Sequence, residues 1–110
     1  MTSPRAEVVR LLDSPRRRAI LRIVWAEERA AGEIHAALGD VTFGAVSQQL
    51  RLLTDAGLTV CRPAGRRRFY RAVPERLGPF ADWLEAIWDD SLSRLKAEAE
   101  RLERGSRRKA

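Results

Sequence analysis

Apolar residues recur in short periodic blocks separated by Pro, Gly, Ser and Asp, and each block predicts one element. Val8, Val9, Leu11 and Leu12, within residues 7–12, give about one or two helical turns. Asp13-Ser14-Pro15 restarts the helix: Ser14 can cap exposed N–H groups, and Pro15 suits the first helical position, where an N–H is unpaired anyway. The next helix is expected over about 15–28. Its Ala19, Ile20, Leu21, Ile23, Val24 and Trp25 cover most of its circumference, which places it at the centre of the fold, surrounded by others. Residues 33–38 put Ile34, Ala37 and Leu38 on one face and stop at Gly39, a C-terminal cap. Another helix begins at an N-cap, Thr42, buries Val46, Leu50 and Leu53, and ends at Gly57. Two short helices joined by a brief capped turn make a helix-turn-helix.

The pattern then changes period. Residues 58–62, a turn at Pro63-Ala64-Gly65, and residues 66–73 around Phe69-Tyr70 read as a β-hairpin. Arg62, Arg66, Arg67, Arg68 and Arg71 crowd its tip and second strand, so counter-charge is expected close by when the protein works. A basic hairpin directly after a helix-turn-helix is a wing. Residues 74–104 form one long helical stretch, with Gly78-Pro79 delaying or kinking its start. Trp88, Leu92, Leu95, Ala99 and Leu102 follow alternating steps of four and three, the spacing of a coiled-coil seam. Leu77, Phe80, Ala81, Leu84 and Ile87 widen that apolar face. A helix this apolar exceeds what a small winged body can cover, so it is expected to pack on its copy across a two-fold axis.

The expected fold is therefore mainly α with a small β-hairpin wing: a winged helix-turn-helix carrying a long C-terminal dimerisation helix. Residues 1–104 form one domain, including the dimerisation helix 74–104, and 105–110 form a basic disordered tail. Composition agrees. The chain has 110 residues, 45% of them apolar, and no apolar run of membrane-spanning length, so a soluble protein without a membrane partner is expected. The first residues show no secretory pattern, and a cytoplasmic location follows. Net charge is +6, carried almost wholly by arginine, because Lys96 and Lys109 are the only lysines. Polyanions are the natural partners, and arginine pairs bidentately with phosphate and guanine.

The helix capped by Thr42, with Val46, Leu50 and Leu53 inward, turns Gly44, Ser47, Gln48 and Arg51 outward. Gly44 allows close approach of backbone. Ser47 can bond a base or a phosphate, Gln48 can pair with adenine, and Arg51 can take guanine or phosphate. Free N–H groups at Thr42 favour a phosphate. With the wing residues Arg62, Arg66, Arg67 and Arg68, these are the candidate contacts to double-stranded DNA; the plainer reading is a solvated polar face and a solubilising charge run. Arg16, Arg17 and Arg18 fit the DNA backbone and a covered helix surface equally well. Leu77, Phe80, Leu84, Ile87, Trp88, Leu92 and Leu95 are the candidate dimer interface, with Trp83 and Trp88 as anchors. No cofactor, metal site or enzymatic site is expected. The chain has one cysteine, Cys61, read as a partly buried strand residue, and one histidine, His35, read as a surface residue. A shared site of His35 with Asp82, Glu85, Asp89 and Asp90 lacks a second histidine. No nucleophile–base pair or phosphate-binding glycine loop is present.

Several motifs together resemble the ArsR/SmtB family of winged helix-turn-helix regulators, over residues 11–95: Ser14-Pro15-Arg16-Arg17-Arg18-Ala19-Ile20-Leu21, Gly32-Glu33-Ile34, the run from Ala45-Val46-Ser47-Gln48-Gln49-Leu50-Arg51 to Gly57-Leu58, and Gly65-Arg66-Arg67-Arg68-Phe69-Tyr70-Arg71. The resemblance implies a homodimer joined by terminal helices that represses transcription from imperfect palindromes. Residues 33–38 lack the cysteines of the metal-sensing members, and Gln49 stands where the family usually has histidine, so the metal-independent branch, with an unidentified effector, fits better. A protein-interaction module reusing the winged helix, and a metal- or ligand-responsive sensor, are the alternatives.

Overall fold

The computed structural model describes residues 4–108, apart from the side chains of residues 4, 90–94, 96, 97 and 104–108. The elements are α1 (Pro4–Leu12), α2 (Pro15–Ile23), β1 (Arg29–Ala30), α3 (Ala31–Leu38), α4 (Phe43–Asp55), β2 (Thr59–Ala64), β3 (Arg67–Ala72), α5 (Pro74–Leu77) and α6 (Pro79–Arg108). The protein is mainly helical with a small antiparallel sheet, ordered β1-β3-β2, and β2 and β3 form the wing. The described residues divide at Gly78–Pro79 into two compact units.

The first unit is built around α2 and α4. Ile20, Leu21 and Val24, from α2 and its C-terminal end, are fully buried, as are Ile34 of α3 and Val46, Leu50 and Leu53 of α4. The caps read from the sequence are in place: the Ser14 hydroxyl accepts from the Arg17 N–H at 3.3 Å, Pro15 opens α2, and the Thr42 hydroxyl accepts from Ala45 N–H at 3.1 Å.

Several elements differ from the sequence expectation, each for a local reason. Helix α2 stops at Ile23, well short of residue 28, because the chain turns to deliver β1. The Val24 carbonyl, beyond the helix end, accepts from Ala72 N–H at 2.9 Å and ties α2 to the wing. Strand β1 pairs Arg29 with Tyr70 and Ala30 with Phe69; two residues carry no readable periodicity. Helix α3 starts at Ala31, ahead of residue 33, because the Glu33 carboxylate folds back to accept from Ala30 N–H at 3.0 Å. Strand β2 continues through Pro63 and Ala64, so the hairpin turns at Gly65 (φ 61°) and Arg66 instead of at 63–65. Pro63 is tolerated because β2 is an edge strand.

The stretch expected as one helix over 74–104 is two helices. Gly78 adopts φ 57°, a left-handed conformation that separates α5 from α6, and Pro79 opens the second. Helical backbone continues to Arg108, over part of the 105–110 segment assigned from sequence to a tail.

Because Leu50 is wholly enclosed, Leu50→Ala is expected to lower unfolding free energy by about 2–5 kcal/mol in urea denaturation at fixed protein concentration. Gln48→Ala on the exposed face is expected to stay within about 0.5 kcal/mol of the parent.

Candidate nucleic-acid interface

Helix α4 is fixed in depth by its apolar stripe, and polar bonds hold it along its length. At its start, His35 Nε2 lies 2.7 Å from the Val41 carbonyl and its ring meets Phe43 edge-on, with centroids 5.6 Å apart. His35 is therefore half-buried and holds the turn, which corrects the surface position expected for it. At its end, the Thr54 and Thr59 hydroxyls meet at 2.8 Å, joining the helix to β2. On its flank, Gln49 Oε1 accepts from Arg17 Nη1 at 2.9 Å.

With those bonds made, Thr42, Gly44, Ser47, Gln48 and Arg51 are all exposed on one side, as the sequence placed them. Arg51 sits 3.9 Å from Asp55, both largely in solvent, and a pair this exposed restrains the guanidinium weakly.

The three arginines in the first turn of α2, Arg16, Arg17 and Arg18, prove unequal. Arg17 Nε donates to the Leu11 carbonyl at 2.7 Å, and Arg18 Nη1 donates to that of Leu12. Both satisfy carbonyls at the C-terminus of α1, where a cation is favoured. Arg16 is exposed and leaves the choice between backbone contact and plain solvation open to it alone.

Strand alternation divides the wing into two faces. Cys61 pairs with Tyr70, and Pro63 with Arg68; on the opposite face Val60 pairs with Arg71, Arg62 with Phe69, and Ala64 with Arg67. Phe69 is the centre of the second face, with the Arg62 guanidinium 4.7 Å and the Arg67 guanidinium 5.1 Å from its ring centroid. Arg62 also forks onto Glu28, Nη2 to Oε1 at 2.6 Å and Nε to Oε2 at 3.1 Å, while Arg67 reaches Glu33 at 3.8 Å. The counter-charge expected for the wing thus comes in part from the chain itself. The Arg62 hydrogen bond holds the Glu28 carboxyl below the usual carboxylate range. On the first face, burial pushes the Tyr70 phenol up, helped by its hydrogen bond with Cys61.

Between α4 and the wing runs a groove of about 790 Å³ lined by Ser47 and Arg51 on one side and Arg66, Arg67, Arg68 and Tyr70 on the other. It brings together five of the candidate contacts. Thr42, Gly44 and Gln48 lie outside its lining, and Arg62 is engaged on the opposite face. The Glu28–Arg62 pair and the Arg17–Gln49 bond escaped sequence reasoning, since the partners are 34 and 32 positions apart and no local pattern joins them.

Comparison with known proteins settles the family. The profile of a family described as a helix-turn-helix domain matches residues 11–62. The HTH-type transcriptional regulator Rv2034 of Mycobacterium tuberculosis is 38% identical over 77 residues, 70% of this chain and 71% of that protein. Among solved structures, the homodimeric winged helix-turn-helix DNA-binding domain of Mb0332 from Mycobacterium bovis superposes with a TM-score of 0.65 at 29% identity, covering 77% of this chain and 78% of that one. An ArsR-like transcriptional regulator from Rhodococcus sp. RHA1 gives 0.61 at 29% identity, covering 87% and 92%. The chain belongs to the ArsR family of winged helix-turn-helix transcriptional regulators. Such regulators bind DNA, and the matched residues 11–62 run from the end of α1 into β2.

The residues expected at a dimer interface fall into separate groups. Leu77 and Leu84 are buried. Phe80 and Trp88 are half-buried, Ile87 and Leu95 are exposed, and the Leu92 side chain lies outside the described ones. Trp83 and Leu102 add to the exposed apolar side chains of α6, with Leu95 and Leu102 each 66% exposed. Among the described residues no group of His, Cys, Asp and Glu side chains is arranged to hold a metal, and no helix is long and apolar enough to cross a membrane.

The Glu28–Arg62 pair gives a pH test. A lowered carboxyl pKa means the pair is intact above the usual carboxylate range and is lost as pH falls through the lowered value. In a side-chain carboxyl NMR titration Glu28 is expected to protonate later than an ordinary glutamate on acidification, and Arg62→Ala is expected to return it to the usual range.

Proposed function

We propose that the chain is a sequence-specific transcriptional repressor that binds a pseudo-palindromic promoter site as a homodimer. The observation that carries this reading is the groove in which the exposed side of α4 and the wing arginines face one space. Ser47, Gln48 and Arg51 supply base-edge and phosphate contacts in the major groove, with Gly44 admitting the backbone and Thr42 presenting the helix N-terminus to a phosphate. Arg66 and Arg68 grip flanking phosphates. Arg62 and Arg67, stacked on Phe69 and paired with Glu28 and Glu33, keep the hairpin in shape for them.

The homodimer is supported by the apolar side chains that α6 leaves exposed and by the homodimeric state of the Mb0332 domain. Trp88, Leu95 and Leu102 recur at intervals of seven, so a second copy of the helix can cover them in one seam. Two copies then place two α4 helices in successive major grooves ~34 Å apart.

The test is selection of binding sites by the full chain from random duplexes, followed by fluorescence anisotropy. An inverted repeat is expected to emerge. Gln48→Ala and Arg51→Ala are expected to relax preference at individual base pairs by about 1–3 kcal/mol. Replacing Arg66 and Arg68 by Ala is expected to weaken binding to every duplex and to flatten the salt dependence by about one unit of slope per lost phosphate contact. Equal affinity for selected and random duplexes would favour a protein-interaction module. In sedimentation the parent chain is expected as a dimer and the Leu95→Glu, Leu102→Glu double variant as a monomer.

A further inference from the structure

The guanidinium of Arg17 contacts two helices besides its own. Its Nε donates to the Leu11 carbonyl at 2.7 Å, its Nη2 reaches the Arg10 carbonyl at 3.4 Å, and its Nη1 donates to Gln49 Oε1 at 2.9 Å. We propose that Arg17 is a positioning residue for DNA sequence recognition, acting through Gln49 to set the rotation of α4 about its own axis. The inference rests on the DNA-reading function proposed above.

Two of the three acceptors are carbonyls in the last turn of α1, where a cation is favoured. They orient the planar guanidinium independently of α4. Nη1 then presents a fixed donor to Gln49, and a bond to a charged donor is both directional and stronger than a neutral one.

Helix α4 needs such a restraint. Val46, Leu50 and Leu53 set how deeply it sits, but apolar burial is non-directional and leaves small rotations inexpensive. Gln49 occupies the flank between the buried Leu50 and the exposed Gln48. Rotation of the helix would carry Ser47, Gln48 and Arg51 across the bases together. Bidentate base contacts tolerate little displacement, whereas attraction to phosphates tolerates much. Loss of the Arg17–Gln49 bond should therefore cost discrimination and spare general affinity. The neighbouring Arg18 bond to Leu12 is independent of it and continues to hold α1.

The experiment measures full-length variants by anisotropy against the duplex enriched by the parent chain from a random library of ~30 bp, and against a shuffled duplex, with melting midpoints recorded alongside. Arg17→Lys keeps the charge and loses the fork; Gln49→Leu keeps the bulk and loses the acceptor. Both are expected to reduce the selected-to-shuffled affinity ratio by about tenfold, with shuffled-duplex affinity and salt slope unchanged. Gln49→Glu restores an acceptor oxygen and is expected to keep the parent ratio to within about twofold, since any added repulsion acts on both duplexes alike. An unchanged ratio in Arg17→Lys and Gln49→Leu overturns the proposal. So does an equal loss on both duplexes with a lowered melting midpoint, which makes Arg17 a structural tie only. Failure of the parent chain to enrich any sequence defeats the DNA-reading function itself, a result distinct from either of these.

Discussion

The inward stripe of α4 governs the rest of the molecule. Val46, Leu50 and Leu53 recur at steps of four and three and are fully excluded from solvent, and a helix that buries one side must expose the other. That constraint puts Gly44, Ser47, Gln48 and Arg51 outside together. It also requires a frame to receive the stripe, which α2 and α3 supply through Ile20, Leu21, Val24 and Ile34. The wing joins the same frame through Ala72 N–H on the Val24 carbonyl. Presentation of the outer residues is thus a consequence of burying the inner ones.

Charge imposes the second condition. Five arginines on one hairpin repel each other, and the chain meets this unevenly. Arg62 and Arg67 stack on Phe69 and meet Glu28 and Glu33, while Arg66 and Arg68 project at the tip and into the groove. An exposed ion pair contributes little to stability, so the value of these pairs lies in geometry. They restrain part of the wing within the chain, while Arg66 and Arg68 line the groove.

Most of the architecture was legible in the sequence because it is periodic or punctuated. Ser14-Pro15 and Thr42 announced helix starts through capping chemistry, Gly39 and Gly57 announced stops, and the exposed side of α4 followed from its buried stripe. Illegible features were those whose partners lie far apart or whose elements are too short for a period. The two residues of β1 pair with β3 across the chain, and that pairing, with the Val24–Ala72 bond, ends α2 early. Pro63 was read as a turn residue because proline interrupts a ladder, yet an edge strand tolerates it. His35 gave no signal at all: its partner is the carbonyl of Val41, and every residue has one.

These unforeseen polar bonds share a logic. His35 fixes the backbone just before α4, Gln49 fixes its flank, and Thr54 fixes its end against the buried Thr59. Each is a directional bond set at the margin of an apolar core that lacks direction of its own. Apolar burial supplies the larger share of free energy, but it varies slowly with small rotations and slides of a helix. Hydrogen bonds vary steeply with distance and angle. A protein that needs only to fold can rely on the first. One that must present an exposed helix face in a fixed orientation needs the second as well, placed around the helix and away from that face.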